Sequence, residues 1–242
     1  MTKVLFNQII FVNQKKFSIQ KITKDSKLLL FPSGPGLASL KSNSNYHNAL
    51  MKADLVFFDS GFFVILLNLL KKIKVHKFSG YKFLVLFFNF LKKNNDKKIL
   101  TIDPNKVLSK NNKDFLKKMG IKNIFSYCAP NYNPKQIKDK KLVNLVNNYK
   151  PDYILTNIGG GTQEILGLYL KENINCKSSI FCTGGAISYF TGDQAPINNF
   201  LDTYYLGWIT RILFKPSIFF PRYIKAIWLI LVVINSKVRE IK

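Results

Sequence analysis

From residue 97 to residue 183, short apolar runs of strand length alternate with longer amphipathic segments of helix length. A chain in which strands alternate with helices folds into a parallel sheet covered by helices on both faces. We therefore predict an α/β fold with a parallel sheet that binds ligands at the carboxyl ends of its strands. The predicted strands are residues 97–102, 122–127, 153–158 and 178–183, and the predicted helices are residues 105–118, 135–149 and 162–171.

The first third of the chain has a less regular pattern. Residues 28–31 predict a strand that runs into a turn-rich PSGPG loop, and residues 43–52 predict a helix. Residues 53–58 predict a buried strand, followed directly by a helix over residues 61–70. The apolar stretch near the N-terminus lacks a small-residue cleavage site, so no signal peptide is predicted.

The C-terminal segment combines basic and aromatic residues. Residues 203–239 contain no acid, and they hold both tryptophans and all three arginines of the chain. Aromatic side chains favour the headgroup level of a membrane, and cations attract anionic lipid. No apolar run in the chain reaches the ~20 residues of a span, so we predict that this segment lies on the membrane surface. Pro216 and Pro221 are expected to break it into two or three short helices.

The net charge of +24, from 37 basic against 13 acidic residues, points to an anionic partner. Other interpretations stay open. The lysine excess is also typical of AT-rich coding, and the clustered arginines can arise by chance. The alternative for the C-terminal helices is that they pack on their own domain. Nucleic-acid binding rests on charge alone, because no recognition motif accompanies it.

Three loops leave the carboxyl ends of predicted strands. In the first, Asp59 follows an apolar strand, where desolvation raises a carboxyl pKa toward use as a general base. Gly61 allows close approach of a substrate or of backbone. The alternative is that Asp59 only caps the following helix.

The other two loops are rich in glycine. They span residues 159–164 and 184–186. Backbone N–H groups at a helix start can hold a diphosphate, although a tight strand-to-helix turn is the alternative. The cysteines and histidines show no metal-ligand spacing, and no metal or cofactor is predicted.

These motifs together resemble the WecG/TagA/CpsF family of bacterial glycosyltransferases over roughly residues 28–230. The similarity rests on the order of four motifs and on a matching tail. The residues that carry it are Ala53-Asp54-Leu55-Val56 with Asp59 and Gly61, Gly159 to Glu164, Gly184-Gly185-Ala186, Ala195-Pro196, and Leu206-Gly207-Trp208 with Arg211, Pro216 and Arg222-Tyr223.

The resemblance implies transfer of a sugar, commonly N-acetylmannosamine, from a UDP-sugar to a sugar on an undecaprenyl-diphosphate carrier. It implies a Rossmann-like domain over residues 1–200 and a membrane-docking helical appendage over residues 201–242, with no bound metal. The enzyme is expected in the cytoplasm, peripheral on the inner face of the cell membrane.

The resemblance also implies roles for particular residues. Asp59 matches the proposed general base, which deprotonates the acceptor hydroxyl. A second group matches the nucleotide-sugar pocket, and a third is expected at the lipid diphosphate and the membrane. The second group is Gly61, Gly159, Gly160, Gly161, Gln163, Glu164, Gly184 and Gly185, and the third is Trp208, Arg211, Lys215, Arg222 and Lys225.

The chain departs from the family pattern in several places. Phe31-Pro32-Ser33 stands where the family has T-P-N. Lys82 and Ser188 replace aspartates, and Gly207 replaces the glutamate of the tail. The sugar donor, the acceptor, the inverting or retaining outcome and a homo-oligomer therefore stay open. A second function also stays open, namely that of a catalytically degenerate relative that docks on a membrane or on a partner.

Overall fold

The computed structural model describes residues 2–15, 17–20, 25–194, 205 and 207–241. Within them, nine strands form one mixed sheet. The motif residues 195–196 and 206 lie outside the described residues. The strands are β1 (Thr2–Phe6), β2 (Ile9–Asn13), β3 (Leu28–Leu30), β4 (Leu55–Phe57), β5 (Lys98–Asp103), β6 (Asn123–Cys128), β7 (Tyr153–Thr156), β8 (Ser179–Cys182) and β9 (Val238–Ile241).

The strand order is β6-β5-β7-β8-β3-β4-β2-β1-β9. Every neighbouring pair from β6 to β2 is parallel, which confirms the predicted parallel sheet. β1 pairs antiparallel with both β2 and β9. Asn7 and Gln8 join β1 to β2 with φ values of 47° and 67°, as in the tight turns of β-hairpins. The sequence patterns above did not predict this hairpin or β9.

Helices cover both faces of the sheet, as predicted. The described residues form eleven α-helices, and a 3₁₀ turn lies at Gly184–Ala186. The helices are α1 (Gly34–Ala38), α2 (Ser44–Lys52), α3 (Gly61–Leu70), α4 (Gly80–Lys93), α5 (Lys106–Lys118), α6 (Lys140–Tyr149), α7 (Thr162–Asn173), α8 (Ser188–Thr191), α9 (Gly207–Phe214), α10 (Pro216–Ala226) and α11 (Leu229–Ile234).

Alternate residues of each central strand feed two separate cores. In β5, Ile99 belongs to one core and Leu100 to the other, as the two-residue period of a strand requires. The first core, under α4 and α5, is rich in stacked phenylalanine rings such as Phe83 and Phe87. The second core lies under α2, α3, α6, α7 and α11. With both faces covered, the open edge formed by the strand ends is the place for ligands.

Two sequence predictions need correction. The helix predicted from residue 135 begins at Lys140, because Asp139 Oδ1 accepts from Leu142 N at 2.8 Å and caps the helix there. Pro221 does not break the C-terminal segment but lies inside α10. Packing of α10 against α1 opposes the break that an isolated proline favours.

The C-terminal helices pack on the body of the protein. α10 contacts α1, and α11 contacts α3, so that Phe219, Ala226 and Leu229 are buried. The chain then returns to the sheet as β9, beside β1. A domain boundary at residue 200 stays a prediction. None of the described helices has the length and apolar character needed to cross a bilayer.

Candidate active site

The Asp59 loop connects β4 to α3. Ser60, not Asp59, caps α3, because Ser60 Oγ accepts from Phe63 N at 3.2 Å. Asp59 Oδ1 instead accepts from Gly80 N at 2.8 Å, at the first residue of α4. The Asp59 carboxylate therefore lies at the amino end of a different helix, where the macrodipole favours a negative charge.

The loop of residues 159–161 turns β7 into α7. Gly161 has φ 92° and ψ −42°, which an L-residue rarely adopts. Its N–H donates to Glu164 Oε2 at 2.6 Å. A Cβ added to Gly159 or Gly161 would meet no atom within 4 Å, whereas one on Gly160 would come 3.4 Å from Ser33 Oγ. The loop thus presents open backbone beside the end of β3.

Gln163 and Glu164 are buried, at 2% and 0% exposure. Gln163 Oε1 accepts from Gly184 N at 2.7 Å, and its Nε2 donates to Cys182 O at 3.3 Å. Gln163 therefore ties α7 to the loop after β8. Gly184, with φ 59°, makes the turn that brings its N–H to this amide.

Burial raises the pKa of the Glu164 carboxyl to about 7. The hydrogen bonds that the carboxylate accepts from Gly161 N–H and the Gln163 amide oppose this rise, and the nearby charge of Asp59 adds to it. Glu164 and Asp59 are thus close enough to interact, although they come from different loops.

The three loops predicted from sequence converge at this edge. Gly80, which binds Asp59, lies against the loop after β8, because a Cβ on Gly80 would come 3.4 Å from Thr183 O. Gln163 joins that loop to α7. The geometry places a carboxylate beside two helix amino ends and an open glycine loop, which suits proton transfer next to a bound anion.

The C-terminal segment reaches these loops at two points. Arg211 Nε donates to the Tyr189 hydroxyl, and its guanidinium lies 5.2 Å from the centre of the Tyr189 ring. Burial lowers the pKa of Arg211, but Tyr189, Tyr223 and Asp59 raise it, and the net direction is upward. Arg211 therefore stays cationic within electrostatic range of Asp59.

The second point of contact is Tyr205. A Cβ on Gly61 would come 2.6 Å from Tyr205 Cβ, so Gly61 permits the close approach of this side chain. The other appendage residues singled out above do not join the loops. Trp208, Lys215, Arg222 and Lys225 are exposed.

The model of the glycosyl transferase WecG/TagA/CpsF family matches residues 9–242. The chain belongs to this family. A search of curated proteins found no match. Membership makes the chain a glycosyltransferase of cell-surface polysaccharide synthesis, and the family implies a sugar-nucleotide donor and a lipid-linked acceptor.

Some polar residues of this WecG/TagA/CpsF-family fold lie beside the loops but were not predicted from the sequence. Tyr46, on α2, is fully buried, and its hydroxyl has no hydrogen-bond partner among the described residues. Burial raises its pKa well above the ordinary value, and the charges of Glu164 and Asp59 add to the rise. No sequence signal separated Tyr46 from an ordinary core aromatic on an amphipathic helix.

Thr183 was also missed, and Ser33 was singled out only as a departure from the family pattern. Thr183 Oγ1 is buried and lacks a partner among the described residues, and Ser33 Oγ caps α1 by accepting from Gly36 N at 3.4 Å. Ser188, where the family pattern has aspartate, is buried on α8. No group of three or more metal-ligating His, Cys, Asp or Glu side chains occurs in the part of the chain that the structure describes.

Proposed function

We propose that the protein transfers a sugar, N-acetylmannosamine-like, from a UDP-sugar to a polyprenyl-diphosphate-linked acceptor, with Asp59 as the general base. The observation that carries this proposal is the position of Asp59. Its carboxylate lies at the amino end of α4, in electrostatic range of Arg211 and of Glu164, which holds the open glycine loop at the start of α7.

In this mechanism Asp59 accepts the proton of the acceptor hydroxyl. The hydroxyl oxygen bonds to the anomeric carbon of the donor, and the bond from that carbon to the diphosphate breaks. UDP leaves with the electron pair. Backbone N–H groups of residues 159–160 and 185 are suited to hold its negative charge, because they lie at a helix amino end and a tight turn. The N–H groups of Gly161 and Gly184 donate instead to Glu164 and Gln163.

Gln163 and Glu164 act in this scheme by holding the loops. Their polar atoms bond to Gly161, Cys182 and Gly184 within the protein. We infer that they fix the shape of the nucleotide-sugar pocket, with Gly61 giving room to the appendage at its rim.

The appendage is proposed to dock on the anionic inner face of the membrane and to hold the carrier. Trp208, Lys215, Arg222 and Lys225 are exposed and cationic or aromatic, as a headgroup contact requires. Arg211 faces inward, where it suits the acceptor diphosphate.

Asp59→Asn tests the proposal. Because the amide cannot accept the proton, we expect transfer to fall about 10²–10⁴-fold, while UDP binding, measured by calorimetric titration, is retained. Asp114→Asn on the exposed side of α5 is the matched control, and its activity should equal that of the wild type. Full activity in Asp59→Asn would exclude Asp59 as the base. Failure of the wild type to bind UDP would instead favour a degenerate docking relative.

A further inference from the structure

Helix α3 has an outward face of unusual composition. Ile65 and Leu69 lie on the exposed stripe of this helix, and Leu69 is 70% exposed. The outward stripe of a surface helix in water is normally polar or charged. The one uncharged polar residue on the stripe, Asn68, turns its Oδ1 to Val75 N at 2.9 Å.

This apolar face continues onto the C-terminal helices. α3 packs beside α11, and Lys71 Nζ at the end of α3 donates to Ile234 O at the end of α11, at 2.9 Å. Leu70 and Ile234 are both exposed near this junction. A contiguous exposed apolar patch of this kind marks an interaction surface.

The charges around the patch identify its partner. No acidic residue occurs between Asp59 and Asp96, or between Asp202 and Glu240, the two stretches that build it. Lys72 and Lys74 are exposed directly after α3. An apolar surface built from stretches without acids and flanked by exposed lysines is complementary to an anionic lipid bilayer, since the cations meet headgroups while apolar side chains enter the acyl boundary.

We propose that α3, a helix of the α/β body, enters the membrane surface together with the appendage. This proposal depends on the proposed function in one respect, which is that the appendage docks on the same bilayer. α3 begins at Gly61, directly after the Asp59 loop, and its ten residues span about 15 Å. The helix therefore sets the distance from the bilayer contact near Leu69 to the proposed base.

The first test replaces Leu69 with glutamine, which leaves the charge unchanged. The probe is binding to phosphatidylcholine vesicles containing phosphatidylglycerol, measured by co-sedimentation. Val107→Gln on α5 is the matched control, because Val107 is 68% exposed on a helix outside the patch. We expect Leu69→Gln to bind about fivefold more weakly and Val107→Gln to bind like the wild type. Equal binding by both variants would overturn the proposal.

A second test measures directly whether α3 contacts the bilayer. An environment-sensitive fluorophore is attached to Leu69→Cys, or to Val107→Cys as control, after Cys128 and Cys176 are replaced by serine. We expect the label at residue 69 to brighten with these vesicles and the label at residue 107 to stay unchanged. A label at residue 69 that is already bright without lipid and dims on dilution would show a contact between two copies, which overturns the proposal.

The same samples separate this proposal from the docking of the appendage. Trp208 and Trp228, both exposed on the C-terminal segment, are the only tryptophans of the chain, so their fluorescence reports that segment alone. A response of the tryptophans without a response at residue 69 would overturn the role of α3 and leave appendage docking intact. If neither the tryptophans nor the label at residue 69 responded to the vesicles, both the role of α3 and the docking of the appendage would be overturned.

Discussion

The loops at the carboxyl edge of the sheet and the C-terminal helices use polar residues in opposite ways. In the loops, Gln163 and Glu164 are buried and their polar atoms bond to neighbouring backbone. In the C-terminal helices, cations such as Arg222 and Lys225 are exposed. The difference supports our proposals that the loops hold a fixed geometry for the reaction and that the helices present a surface to a partner.

Arg211 is the exception that joins the two regions. It belongs to the C-terminal helices by sequence but bonds to Tyr189 beside the loops. Variants in the loops should therefore alter chemistry and stability, variants on the outer helices should alter docking, and Arg211 should behave as part of the site.

The largest effect on stability is expected from the pH dependence of Glu164. Burial raises its pKa from the ordinary 4.5 to about 7 in the folded protein. Between these two pH values the folded protein keeps a proton that the unfolded chain has lost, so the free energy of unfolding falls as pH rises through this window. The loss due to this group amounts to about 3 kcal/mol and is complete above the folded pKa.

Glu164→Gln should remove that loss. Urea unfolding at pH 5 and pH 8 measures it, and we expect the wild type to lose more stability across the interval than the variant does. Glu172→Gln is the control, because Glu172 lies near the end of the same helix in an exposed pair with Lys52. Parallel pH profiles for the wild type and Glu164→Gln would contradict this prediction.

A smaller effect is expected from the two arginines. Arg211→Ala removes the hydrogen bond and the ring contact with Tyr189, and we expect transfer to a lipid-linked acceptor to fall about thirtyfold. Arg222→Ala changes an exposed cation, so vesicle binding should weaken about fivefold with transfer to a soluble acceptor unchanged. If the two variants lost the same activities, the division between loops and surface would be wrong.

The smallest effect is expected within the glycine loop. Gly161→Ala places a Cβ on a residue with φ 92°, which should lower the free energy of unfolding by about 1 kcal/mol or slightly more. Gly159→Ala has open space and no positive φ, so its stability should stay near that of the wild type. Thermal unfolding of both variants checks this, and equal losses would mean that backbone strain is not the cause.

The alternation of apolar strands and amphipathic helices was enough to predict β5 to β8 and the helices between them. Apolar side chains repeat with the period of each element, and that period is a local property of the chain. The same logic predicted β4 followed by α3, and it placed Asp59 and the two glycine loops at one edge, since parallel strands end on the same side of a sheet.

Other features depended on contacts between distant parts of the chain. β9 is a strand because β1 is there to pair with it, and the five residues of β1 lie at the opposite end of the sequence. Pro221 stays inside a helix because α10 packs on α1. Asp59 accepts from the first N–H of α4 rather than capping α3, because the fold brings Gly80 to it across twenty-one positions.

The sequence by itself predicted a covered parallel sheet, an edge that carries Asp59, and a cationic aromatic tail. Only the tertiary structure decided which polar groups are buried together, as with Tyr46 and Glu164, and that α3 shares an apolar face with the tail. The physical reason is that periodicity depends on neighbours in sequence, whereas burial and surface continuity depend on neighbours in space.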